Sequence, residues 1–136
     1  MKKLLLFIGI IPFIVLGCSS QPPREKLIGK YCFNRNNNRD SIFIFEDNKY
    51  KHQYINSDGK LFFTEGEWEY DSLSSEILFK DFAFLNEEGA DNLPRGNWFS
   101  KVDLVDDEIR LMYSAENNIY FLKKQPVKSY SYYGNK

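Results

Sequence analysis

The sequence predicts an all-β protein: an eight-stranded antiparallel up-and-down meander, closed or nearly closed into one small barrel and preceded by a short apolar N-terminal helix. Three observations predict it. Between residues 27 and 124, eight short apolar and aromatic segments alternate with clusters of Asn, Asp, Gly and Ser. Aromatic residues reach 17%, with nine Tyr and twelve Phe, a composition that suits half-buried strands. Beyond the N-terminus no stretch sustains a 3.6-residue apolar period, so no long helix is expected there. Strands joined by short links pair with their chain neighbours, and closure removes the two bare edges that an open meander would leave.

The first strand is expected at 27–33, followed by a polar loop at 34–40 (Asn34 through Asp40). Strands at 41–46 and 50–55 are joined through Glu46-Asp47-Asn48. Asn56-Ser57-Asp58-Gly59 reads as a hairpin turn, because Asp and Gly tolerate the positive φ that such turns impose. A fourth strand at 61–70 meets a turn at 71–75, and a fifth at 77–85 runs into the longest loop, 86–96. That loop holds Gly89, Pro94 and three acidic residues. Strands at 97–105 and 108–114 form a hairpin across Asp106-Asp107, and a turn at 115–117 leads into the last strand, 118–124. Residues 125–136, with Pro126 and the tyrosines Tyr130, Tyr132 and Tyr133, read as a loose tail that could dock on a partner or a membrane.

The N-terminus reads as an address. Lys2 and Lys3 precede an uncharged run at 4–16, thirteen residues that as a helix rise about 20 Å, short of the roughly 30 Å hydrocarbon core of a bilayer. A cleaved signal at 1–17 is therefore expected. The run ends in Val15-Leu16-Gly17-Cys18, which resembles the lipobox of bacterial lipoproteins: a branched apolar residue, a small residue at −1, then the acceptor cysteine. The resemblance implies cleavage between Gly17 and Cys18, with a diacylglycerol on the thiol and an acyl chain on the new amine. Two or three acyl chains, at about 0.8 kcal/mol per buried methylene, would hold the chain on a membrane. It further implies a cell-envelope location, the outer membrane if the cell has one, since Ser rather than Asp follows the cysteine. Residues 18–26 then form the lipidated start and a tether whose Ser, Gln and Pro suit an extended linker. The barrel domain is expected at 27–124.

With Cys18 acylated, Cys32 has no intrachain partner; a half-buried thiol, an interchain link or a reactive thiol are the readings left open. Gly29-Lys30-Tyr31 resembles the Gly-x-Trp signature that opens lipocalin-type barrels, with Tyr in place of Trp. Gly66-Glu67-Trp68 and Gly96-Asn97-Trp98 repeat the spacing, and a ring two residues beyond a glycine can cover the gap left by the missing side chain in a curved sheet.

Alternation places Tyr50, His52 and Tyr54 on the inner face of the third strand, and Gly66, Trp68 and Tyr70 on that of the fourth, with Glu65, Glu67 and Glu69 outside. Neighbouring strands could bring Tyr50, His52, Tyr54, Trp68 and Tyr70 into one cluster. Such a cluster is the candidate pocket for a small apolar or aromatic ligand, since apolar walls with sparse polar tips recognise such molecules. The same residues also describe a filled barrel core, and an eight-strand interior is nearly filled by side chains alone.

In Phe79-Lys80-Asp81-Phe82 strict alternation would turn Asp81 inward beside His52, the one acid–base pair that an enzyme could use. A bulge near Asp81 that switches the inner set to Phe82 and Phe84 explains the pattern without chemistry and is the expectation.

The net charge of −1 becomes more negative once Lys2 and Lys3 leave with the signal, which argues against nucleic-acid binding. A single histidine gives no metal-site spacing, and no nucleophile elbow, phosphate loop or dinucleotide fingerprint is present. The acidic clusters at 87–91 and 106–108 do not follow a calcium-loop pattern. No cofactor and no catalytic residue are expected. The function expected is a non-catalytic, membrane-anchored barrel that binds a small apolar ligand or an envelope component. The alternative is a protein-interaction module, such as an inhibitor, an immunity protein or a complex subunit.

Overall fold

The computed structural model describes residues 21–35, 38–84 and 94–125. The expectations for the signal and for Cys18, for most of the long loop and for the tail beyond Gln125 lie outside the described residues.

The fold is a closed barrel of eight antiparallel strands in sequential order, as the alternation predicts. The strands are β1 (Gly29–Arg35), β2 (Asn38–Ile44), β3 (Lys49–Ile55), β4 (Leu61–Asp71), β5 (Glu76–Ala83), β6 (Arg95–Val105), β7 (Glu108–Ser114) and β8 (Ile119–Gln125). Pairing of β1 with β8 closes the ring. The outward carboxylates fall where the period of two puts them, with Lys49 2.7 Å from Glu67 and Lys80 paired with Glu69.

Two stretches differ from the expectation. Residues 34–40 are mostly not a loop, because β1 and β2 stay in register as far as Arg35 opposite Asn38. Their polar side chains hid a strand pair whose ladder is made by the backbone. The first strand starts two residues late, because Arg24–Leu27 forms one helical turn, α1, after Pro23. Leu27 is fully buried, its carbonyl accepts the Tyr31 hydroxyl at 2.7 Å, and the Arg24 guanidinium lies 4.3 Å above the Trp68 ring. The helical turn thus covers the end of the barrel that holds the β2–β3, β4–β5 and β6–β7 turns.

Inside, Tyr31, Ile42, Ile44, Trp68, Ile77, Phe79, Phe82 and Leu111 are fully buried. Burial of each such side chain contributes about 1.5–3 kcal/mol, which lets the fold stand without a disulfide. Cys32 is free and half-buried, its sulfur 3.5 Å from the Ser41 hydroxyl. The bulge expected in β5 is present: pairing with β6 slips between Phe79 and Phe82, and Asp81 takes φ 54°. Phe82 is consequently buried on the inner side, while Asp81 turns outward.

Candidate functional site

Tyr50, His52 and Tyr54 point into the barrel as their alternation requires, at 1%, 1% and 6% exposure. Trp68 and Tyr70 also belong to the inner face of β4, Trp68 in one core cluster with Tyr50, and Tyr70 packed against that cluster, but the register sets both apart from His52 and Tyr54. Tyr50 lies opposite Gly66, His52 opposite Thr64 and Tyr54 opposite Phe62. Trp68 instead sits under α1 and donates its indole N–H to the Phe45 carbonyl at 2.9 Å, and the Tyr70 hydroxyl donates to the Pro22 carbonyl at 3.1 Å. The five residues therefore serve two ends of the barrel: Trp68 and Tyr70 build the covered end, and His52 and Tyr54 face the other.

Tyr50 occupies a place between them. Its ring lies over Gly66, and its hydroxyl crosses β4 to donate to the Lys80 carbonyl of β5 at 3.0 Å. That carbonyl falls inside the bulge, outside the β5–β6 pairing, so the side chain supplies a partner that the ladder does not. Burial, and next the nearby Asp81 charge, push the Tyr50 hydroxyl well above the usual tyrosine range, so it remains a donor. The ring covering Gly66 thus comes from the adjacent strand, and not from Trp68 two residues on.

His52 has an acidic partner, but it is not Asp81. Its Nε2 lies 2.6 Å from Oδ1 of Asp40, whose side chain is 17% exposed. Asp81 instead accepts from Arg95 at 2.7 Å on the outer surface, where both side chains are more than half exposed. The His52–Asp81 pair on which an enzymatic reading depended does not form, because the bulge reverses the face of Asp81. An exposed ion pair of this kind is worth at most about 1 kcal/mol, so Asp81→Asn is expected to change stability by less than about 0.5 kcal/mol in urea unfolding.

Asp40 escaped the sequence reading because it fell in the presumed polar loop. One signal was available: it stands two and four residues before Ile42 and Ile44, so extending their period backward puts all three on the inner face.

Around the pair the interior is aromatic. Phe82 stacks on the His52 imidazole with centroids 4.5 Å apart and planes 15° from parallel, and Phe121 meets it edge-on at 6.4 Å. Phe82 also packs on Trp98 at 4.7 Å, and Tyr113 lies 5.4 Å from Trp98. Burial, and secondarily the Asp40 carboxylate, hold the Tyr113 hydroxyl above its ordinary range. Toward the end remote from α1, the inward side chains Phe33, Phe62, Phe84 and Tyr113 are only partly buried. In register Phe33 lies opposite Asp40, and Phe62 lies opposite Tyr54.

Two buried polar atoms on the inner face of β3 and β4 have no hydrogen-bond partner: Nδ1 of His52 and Oγ1 of Thr64. They belong to directly opposed residues of β3 and β4. Nε2 is engaged by Asp40, which leaves Nδ1 for a further partner, while the Thr64 hydroxyl can donate or accept. A hydroxyl can partner either atom. Among the described residues no group of three His, Cys, Asp or Glu side chains is placed to hold a metal ion. No family model, curated protein or solved structure matches this chain.

Proposed function

We propose that the protein is an envelope lipoprotein, anchored through acyl chains on Cys18, whose non-catalytic barrel binds a small apolar or aromatic ligand at the end remote from α1. The observation that carries the binding reading is the pair of unpartnered buried atoms, His52 Nδ1 and Thr64 Oγ1, set in an aromatic interior. Leaving such atoms unpaired costs about 1–3 kcal/mol each, so the site favours a guest that brings a hydrogen-bonding atom on a flat apolar body. The partly buried Phe33, Phe62, Phe84 and Tyr113 supply the apolar walls, and Asp40 holds the imidazole through Nε2. The lipocalin-like reading of Gly29-Lys30-Tyr31 agrees with this use of a barrel interior.

Native mass spectrometry of the acylated protein, purified from its own envelope in mild detergent, tests the proposal. One small molecule per chain is expected, and Thr64→Val is expected to weaken its retention about tenfold, as removal of one hydrogen bond does. A barrel that emerges empty and takes up no phenol in a titration sinks the ligand reading. The same preparation addresses the interaction-module alternative, which the exposed Leu61 and Phe63 on the outer face of β4 favour. A stoichiometric polypeptide in place of a small molecule would move the function there.

A further inference from the structure

The end of the barrel covered by α1 carries an exposed apolar contact point beside the start of the described chain. Leu73, in the β4–β5 turn, is 91% exposed, the most exposed large apolar side chain among the described residues. Its turn is firmly built: the Leu73 amide donates to Asp71 Oδ1 at 2.8 Å, and the Ser74 hydroxyl donates to Asp71 Oδ2 at 3.0 Å.

The chain enters at the same place. The Gln21 side-chain amide donates to the Leu73 carbonyl at 3.5 Å, and the next residue, Pro22, accepts the Tyr70 hydroxyl. Cys18 lies three residues before Gln21, so even a fully extended link spans only roughly 10 Å. If Cys18 is acylated, as the proposed function holds, the sulfur sits at the bilayer surface and Leu73 cannot be far from it.

The other turns sharpen the assignment. The other two turns at the α1 end have polar tips, Glu46, Asp47 and Asn48 between β2 and β3 and Asp106 and Asp107 between β6 and β7, which disfavour insertion into lipid. At the opposite end, the turns at 56–60 and 115–118 carry no large apolar side chain. Of the described turns, the one braced by Asp71 therefore combines nearness to the anchor with an apolar tip.

We infer that the barrel stands on the membrane by its α1 end, with Leu73 inserted at the lipid interface and the opposite end turned away from the bilayer. This inference rests on the anchoring reading, and the two can fail separately. The acylated full chain, with Cys32→Ser to remove the second thiol, is reconstituted in vesicles of phosphatidylethanolamine and phosphatidylglycerol. An environment-sensitive fluorophore is attached at Leu73→Cys, or at Ser57→Cys in the opposite turn.

The label at position 73 is expected to shift to the blue and to be quenched severalfold more by bromine-bearing lipid than the label at 57. Unlabelled Leu73→Asp is expected to keep the parent's melting temperature, since its side chain packs on nothing, and to leave the label at 57 unaffected. Equal exposure to water at 73 and 57 on vesicle-bound protein overturns the insertion while leaving the anchor intact. A chain that does not float with the vesicles removes both.

Discussion

Replacing Gly66 by alanine is expected to destabilise the barrel by about 3 kcal/mol, although the change adds a single methyl group. The backbone φ of Gly66 lies outside the left-handed region, so alanine suffers no conformational penalty there and would, in open space, stabilise slightly by restricting the unfolded chain. Space decides the sign. A Cβ at this position would stand 2.5 Å from the Lys80 carbonyl oxygen and 2.6 Å from the Tyr50 ring. The first contact is backbone and the second is a ring fixed by its hydrogen bond to the same carbonyl, so neither yields cheaply. Urea unfolding followed by the fluorescence of Trp68 and Trp98 measures the loss, and a change below about 0.5 kcal/mol would mean that Tyr50 does not cross β4 at Gly66.

Removal of the Asp40 side chain is the second large effect. Asp40→Ala leaves His52, at 1% exposure, with neither ring nitrogen partnered, and a loss of about 3 kcal/mol is expected. Asp40→Asn keeps an acceptor for Nε2 and should cost only about 1 kcal/mol, because the charge is lost but the hydrogen bond is not. The comparison with Asp81→Asn is the discriminating one, since the two aspartates were rival partners for the same histidine. Equal losses for Asp40→Ala and Asp81→Asn would contradict the assignment of Asp40.

Both effects depend on residues whose importance is hard to see along the chain. Sequence spacing pairs Gly66 with Trp68, yet the ring that fills its gap belongs to Tyr50, sixteen positions earlier in sequence and directly opposite in register. Asp40 is hidden by a run of Asn and Arg that looks like a loop, whereas strand pairing needs only backbone donors and acceptors. Asp81 illustrates the reverse: Phe79-Lys80-Asp81-Phe82 cannot alternate cleanly, and the conflict itself predicts the slip in pairing that occurs between Phe79 and Phe82. Where apolar residues declare a face, the face is legible. Where the inward residue is polar, only its neighbours across the sheet reveal it.

The amino-acid sequence by itself determined the eight strands, their order and the inward set that includes Tyr50, His52, Tyr54 and Trp68. A period of two and short polar turns are local properties, and side-by-side pairing follows from them with little further choice. Only the tertiary structure decided the register of each pair, and with it the partner of His52, the separation of Trp68 and Tyr70 from His52 and Tyr54, and the helical turn that closes one end. Those outcomes depend on stagger and closure around the ring, where each strand's position is set by packing on both neighbours at once.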